Sequence, residues 1–125
     1  MEQRLVFVSA FDALVSEDIA ACVAEWDAAT AIRVSPSHED TVRDLADVPS
    51  VFAVIARGPA ARLDETGLPN LVADRGGRLV WVSDAPLRIS QGTVDYIHVA
   101  MPFTADMLRD ALSAAARRGG RPDEA

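Results

Sequence analysis

Serine, aspartate and arginine side chains stand where apolar runs of the sequence end. Ser9 closes the first run and Asp12 follows it, Arg57 follows a later one, and Ser83 and Asp84 close another. A serine beside a positioned histidine can act as a nucleophile, and polar residues around a cleft can bind a small molecule. The sequence shows neither a nucleophile elbow nor a histidine placed beside these serines, so it gives little support to a hydrolase site.

Metal, nucleotide and thiol chemistry also have little support. The chain has two histidines and one cysteine without the spacing of zinc ligands, and it has no glycine-rich phosphate loop. We interpret His38 as a residue in the first turn of a helix and Cys22 as a small buried residue on a helix face. We therefore expect no metal, no cofactor and no disulfide within the chain.

The composition restricts the partners. The 125 residues include 19 acidic residues and 12 arginines but no lysine, for a net charge of -7. This charge has the wrong sign for attracting nucleic acid or anionic lipid. The N-terminal apolar run is too short for a secretory signal, and no stretch reaches membrane-spanning length. We expect a cytoplasmic protein whose partner is another protein.

Short apolar runs recur along the chain and predict the strands of a buried sheet. They cover residues 5–9, 51–56, 79–83 and 97–101, and a weaker run covers 31–35. The runs are apolar on both faces instead of alternating, which is typical of parallel strands covered by helices on both sides.

Amphipathic segments with helix-start signals lie between these runs. The residues predicted to start helices are Ser16, Ser37, Pro69 and Thr104, and Gly76 can help end the third helix. Alternating strands and helices predict an α/β fold of three α/β/α layers. The sheet is doubly wound, with five parallel strands in the order 2-1-3-4-5. We assign residues 1–116 to one domain and 117–125 to a flexible C-terminal tail.

The segment Met101-Pro102-Phe103-Thr104, followed by an alanine-rich helix, resembles the end of a response-regulator receiver domain. In that family the fifth strand closes with Lys-Pro-Phe. The order and spacing of the apolar runs agree from residue 4 to about residue 116. The resemblance implies a flavodoxin-like fold and a role in bacterial two-component signal transduction, or phosphorelay. The interval between Ser83 and Met101 is shorter than in the family, so we expect a shortened helix there.

The resemblance also locates the family's phosphorylation chemistry. A working receiver uses an aspartate nucleophile, an acidic pair that helps hold Mg²⁺, a hydroxyl residue and a lysine. These positions fall on Ser9 and Ala10 for the acidic pair, Ile55 or Ala56 for the nucleophile, Ser83 for the hydroxyl and Met101 for the lysine. Because the hydroxyl alone is retained, the resemblance implies a degenerate pseudo-receiver that cannot be phosphorylated in the family's way.

Two further residues are candidates for other roles. Arg57 either pairs with Asp84 or Asp12 across the vacant pocket, or points to solvent. His98 lies where receivers keep an aromatic switch residue. It is either a titrating switch or, as we favour, a strand histidine that faces the surface.

These observations predict a module that is not an enzyme and acts in signalling through protein–protein contacts. The surface through which receivers dimerise or contact their output partners corresponds to residues 87–104 and 106–117. A homodimer formed through this surface is one possibility. Two alternatives remain. One is a small-molecule binder or enzyme that reuses the cleft at the strand ends. The other is a decoy that docks on a histidine kinase or phosphotransfer protein through residues 16–26.

Overall fold

The runs that are apolar on both faces form one parallel sheet. A computed structural model describes residues 4–83 and 96–119 of the chain. The strands are β1 (Leu5–Ser9), β2 (Ala31–Ser35), β3 (Ala53–Arg57), β4 (Arg78–Ser83) and β5 (Tyr96–Ala100). Their order is β2-β1-β3-β4-β5, and every neighbouring pair is parallel. The predicted doubly wound α/β fold and its strand order are confirmed.

Helices cover both faces of this sheet. They are α1 (Ala13–Trp26), α2 (His38–Ala46), α3 (Ala60–Thr66), α4 (Leu68–Asp74) and α5 (Ala105–Gly119). One face packs against α1 and α5, where Ile19 and Leu112 are fully buried. The other face packs against α2, α3 and α4, where Leu45 and Leu68 are fully buried. The two hydrophobic layers explain why the strands show no polar alternation.

Successive residues of a central strand enter different cores. Val6 and Val8 of β1 join the core beneath α1 and α5, together with Ile55 of β3. Phe7 of β1 and Val54 of β3 join the opposite core. All five side chains are completely buried. Burial of each such side chain contributes about 1.5–3 kcal/mol.

Two of the three predicted serine and threonine caps are confirmed. The side chains of Ser37 and Thr104 each accept a hydrogen bond from the backbone amide three residues later, at 3.1 and 3.2 Å. The predicted start at Ser16 is wrong. Helix α1 begins one turn earlier, where the Asp12 carboxylate accepts the Val15 amide at 2.9 Å. A carboxylate satisfies an unpaired amide there and complements the helix dipole.

The predicted third helix is α4, and a further helix, α3, lies before it. α4 contains Pro69 in its first turn, as expected, but α3 precedes it and was not predicted. Gly67 separates them with φ of 77°, a left-handed conformation that glycine adopts without steric cost. Leu63 is the one buried apolar side chain described in α3. The segment therefore lacks the repeated apolar spacing from which a helix is predicted.

The predicted C-terminal boundary and the segment before β5 can be compared with the structure only in part. Helix α5 continues to Gly119, past the predicted domain end at residue 116. The rest of the predicted tail, and the shortened helix expected between Ser83 and Met101, lie outside the described residues in 120–125 and 84–95. Within residues 4–83 and 96–119, no helix has the length and apolar character needed to span a bilayer.

The two-core arrangement predicts that one substitution has very different effects at two helical sites. Leu45 is fully buried and Leu14 is 75% exposed. Leu45→Ala should lower the free energy of unfolding by about 2–5 kcal/mol, because it leaves a cavity under α2. Leu14→Ala should change it by less than about 0.5 kcal/mol. Urea denaturation of both variants measures the difference, and equal losses would contradict the packing described.

Candidate functional site

The carboxyl ends of the strands surround a pocket of about 460 Å³. Its walls come from the ends of β1 and β4, the loop after β3, the start of α2 and α3, and the loop after β5. The lining residues are Ala10, His38, Arg57, Gly58, Pro59, Arg62, Val82, Ser83 and Met101. Open parallel sheets bind their ligands at this edge, and the volume suits a small molecule.

A chain of hydrogen bonds crosses the floor of this pocket. Thr41 Oγ1 donates to Ser9 Oγ at 2.8 Å, and Ser9 Oγ lies 2.8 Å from His38 Nδ1. On the other side of the ring, His38 Nε2 lies 2.8 Å from the carbonyl oxygen of Arg57. The chain thereby connects the end of β1 to two positions on α2 and to the end of β3.

The partners fix the tautomer of His38. A carbonyl oxygen can only accept, so His38 Nε2 carries the hydrogen and donates to Arg57. In the neutral ring Nδ1 then accepts the Ser9 hydroxyl hydrogen, while Ser9 accepts from Thr41. Each of the three side chains is therefore satisfied, as buried polar groups require. Burial lowers the pKa of His38, because desolvation penalises the imidazolium form.

Ser9 and His38 resemble a nucleophile and its base, yet their environment points to a structural role. Ser9 is completely buried, and His38 is 4% exposed. A nucleophile must reach its substrate, and both ring nitrogens of His38 are already engaged by protein groups. The pair therefore works as an internal link between elements.

The loop after β3 is held from two sides. His38 binds the carbonyl of Arg57, and the indole Nε1 of Trp81 donates to the carbonyl of Gly58. The Gly58 amide in turn donates to the carbonyl of Val82 at 3.2 Å. Gly58 has φ of 127°, which an L-residue rarely adopts. These contacts give Arg57, at the end of β3, and the loop after it one defined backbone path.

The six positions implied for phosphorylation do converge at this edge of the sheet. Three of them, Ala10, Ser83 and Met101, line the pocket. The other three, Ser9, Ile55 and Ala56, are fully buried beneath it. Ala56 lies opposite Ser9 in the sheet register, so the residues that end β1 and β3 are direct neighbours. Ala10 adopts φ of 69°, a strained conformation for a residue other than glycine.

The predicted ion pair across the pocket is not formed with Asp12. That carboxylate caps α1, and among residues 4–83 and 96–119 no carboxylate lies within ion-pair distance of the Arg57 guanidinium. Asp84, the other predicted partner, lies outside the described residues. Arg57 is exposed, in agreement with the alternative that its side chain points to solvent.

The pocket wall is basic. It includes Arg57 and Arg62, and none of the lining residues within 4–83 and 96–119 is acidic. Arg62 contacts Glu65 at 3.3 Å and Glu39 at 3.7 Å, in pairs whose side chains are all more than half exposed. Exposed pairs of this kind are weak. In the described part of the chain, no group of three histidine, cysteine, aspartate or glutamate side chains could hold a metal ion.

His98 does not face the surface as favoured from the sequence. It is half-buried on β5, with its ring 5.1 Å from that of Trp81 in an edge-to-face arrangement. Its Nε2 is buried and has no hydrogen-bond partner among residues 4–83 and 96–119. Cys22 is buried as predicted, and burial raises the pKa of its thiol, which disfavours the reactive thiolate.

Sequence reasoning missed His38, Thr41 and Arg62. The signal for the first two was their spacing, since residues 38, 41 and 45 lie on one helical face and Leu45 is buried. Polar residues on an inward face indicate a buried hydrogen-bond network. Arg62 could not be placed, because α3 itself was not predicted.

Comparison with known proteins supports the fold. No protein-family model matches the sequence, and no curated protein matches it significantly. Among solved structures, a response regulator receiver domain protein from Bacillus halodurans superposes with a TM-score of 0.71 at 14% identity. The match covers 92% of this chain and 97% of that chain.

Two further structures give similar results. A protein from Burkholderia pseudomallei described as pilus assembly-related has a TM-score of 0.67 at 15% identity, over 97% of this chain and 94% of that one. A signal receiver domain of an HD domain-containing protein from Pseudomonas fluorescens has a TM-score of 0.64 at 14% identity, covering 95% and 98%. At such identities the likeness establishes the fold, which is that of receiver domains.

The buried His38 predicts a pH dependence of stability. Its pKa is lowered in the folded state, so the unfolded chain binds a proton more readily. The contribution of neutral His38 to the free energy of unfolding is fully present above about pH 6.5. It is lost as the pH falls through the pKa that His38 has in the folded protein. His38→Gln cannot titrate but keeps one donor and one acceptor.

Denaturation midpoints of both proteins between about pH 7.5 and about pH 5 test this expectation. The wild type should lose more stability on acidification than His38→Gln. Carboxylates titrate in both proteins, so the difference isolates His38. Parallel pH profiles would contradict the buried neutral histidine.

Proposed function

We propose that this chain is a receiver-like signalling module that is not phosphorylated and that acts, in the cytoplasm, through contacts with another protein. The receiver fold supports the signalling role. The observation that carries the rest is the chemistry of the pocket. Where a receiver needs carboxylates, this pocket has apolar residues, arginines and a closed hydrogen-bond chain.

Phosphoryl transfer needs a nucleophile, and the end of β3 offers none. Ile55 and Ala56 are apolar and completely buried. No acidic residue occurs in the sequence from residue 48 to residue 63, so the conclusion holds for any small shift of register. At the end of β3 an aspartyl phosphate therefore has no carboxylate on which to form.

Stabilisation of the transferred group is also missing. Mg²⁺ prefers oxygen ligands that include carboxylates, and none of the lining residues that the structure describes supplies one. The chain contains no lysine to neutralise the phosphoryl oxygens from the end of β5, where Met101 stands. Removal of such electrostatic groups lowers the rate of phosphoryl transfer severely even where a nucleophile is present.

The hydrogen-bond chain supports a single, constant state of the site. Thr41, Ser9, His38 and the carbonyl of Arg57 satisfy one another without metal or phosphate. Receivers switch their partners when phosphorylation rearranges the loops around this site. A site already satisfied favours one permanent surface, with residues 87–104 and α5 as the face for a protein partner or a second copy. The same permanent surface would also suit the alternative function, a decoy that docks on a histidine kinase through α1.

Intact-mass measurement tests the proposal. After incubation with Mg²⁺ and a small phosphodonor, the mass should stay unchanged at neutral pH, because the implied nucleophile position is occupied by Ile55 or Ala56 and offers no carboxylate. A receiver domain with a complete site serves as the positive control. An adduct of one phosphoryl group, whether acid-labile or stable, would contradict the proposal.

A further inference from the structure

The charge of the pocket is opposite to that of the protein. The chain has a net charge of -7, yet the lining residues that the structure describes include Arg57 and Arg62 and no acidic residue. A concave wall that gathers one sign of charge concentrates ligands of the other sign. We propose that this pocket reversibly binds a small molecule carrying a compact divalent oxyanion, of the phosphate or dicarboxylate type.

Arg57 is the principal anchor for the anion. No carboxylate among residues 4–83 and 96–119 lies within ion-pair distance of its guanidinium, so an incoming anion displaces no described partner. Guanidinium groups match the geometry of phosphate and carboxylate oxygens with two parallel hydrogen bonds. The backbone from which the Arg57 side chain extends is already fixed, because His38 donates to the Arg57 carbonyl and Trp81 donates to the Gly58 carbonyl. Such preorganisation lowers the ordering cost of binding.

Arg62 is the second charged group of the wall. Its contacts with Glu65 and Glu39 are 3.3 and 3.7 Å long and exposed, so a divalent anion in the pocket can compete with them. Arg62 comes from α3 and Arg57 from the end of β3, so the two approach the pocket from different elements. Two cations favour an oxyanion of charge two over a monovalent one.

The rest of the lining indicates how the ligand is accommodated. His38 has both ring nitrogens engaged by protein atoms, so it forms part of the wall without offering a free donor. Pro59, Val82 and Met101 are apolar. The volume of about 460 Å³ exceeds that of a bare anion and leaves room for a small organic group against these residues.

This inference rests on the proposed function, because it assigns non-covalent binding to the edge of the sheet where receivers are phosphorylated. The two are separable. A covalent adduct in intact-mass measurement overturns the proposed function whatever the binding result. Absence of reversible binding overturns the present inference and leaves the proposed function standing.

Calorimetric titration of the full chain at constant ionic strength tests the inference with three probes, inorganic phosphate, phenyl phosphate and succinate. We expect saturable binding of at least one, with a Kd of about 1 mM or tighter. Preference for phenyl phosphate, phosphate or succinate would identify an organic phosphate, the free ion or a dicarboxylate as the ligand type. No saturation by any probe at about 10 mM would overturn the proposal.

Variants locate the site. Arg57→Gln and Arg62→Gln keep hydrogen-bond donors but lose the charge, and each should weaken binding by about tenfold or more. Arg57→Lys keeps the positive charge but loses the paired donors of the guanidinium, so its affinity should lie between those of the wild type and Arg57→Gln. Arg117→Gln removes an exposed arginine of α5, which is not among the lining residues, and should bind as the wild type does. Equal affinity in all four variants would overturn the assignment to this pocket.

Discussion

The hydrogen-bond chain from Thr41 through Ser9 and His38 to the carbonyl of Arg57 is the constraint on which the site depends. It joins β1, α2 and β3 at the point where parallel strands leave an open crevice. Each group is buried or nearly so, and removing one would leave its neighbours without partners in a medium of low dielectric constant. These hydrogen bonds therefore fix both the floor of the pocket and the backbone at Arg57, where β3 ends.

The architecture could be predicted from the sequence, because strands buried on both faces appear as short runs of apolar residues. The limits of β1 and β2 were predicted to the residue, and those of the other strands to within one or two residues. The start of α1 was misplaced, because Asp12 and Ser16 both have cap chemistry; Asp12 is the cap, and Ser16 lies buried inside the helix, where its hydroxyl donates to the carbonyl of Phe11. Helix α3 was missed because Leu63 is its one described buried apolar residue.

The candidate site was predictable only in part. Ser9, Ala10, Arg57, Ser83 and Met101 could be assigned to the strand-end edge, since the ends of parallel strands meet there. Partners within it could not be assigned, because side-chain hydrogen bonds depend on packing that no periodicity encodes. His38 illustrates this: its type and position suit a helix start on the surface, and only the fold turns it toward Ser9. Fold likeness at 14–15% identity likewise does not carry function, which must be argued from the site.

A neutral His38, held between Ser9 and the carbonyl of Arg57, closes the crevice where β1 and β3 end. The ¹H–¹⁵N spectrum of the His38 ring at neutral pH reports the charge and the tautomer of that ring. We expect a neutral ring with the hydrogen on Nε2, exchanging slowly with water because the ring is buried. A protonated ring, a hydrogen on Nδ1 or rapid exchange would show that His38 does not form this link.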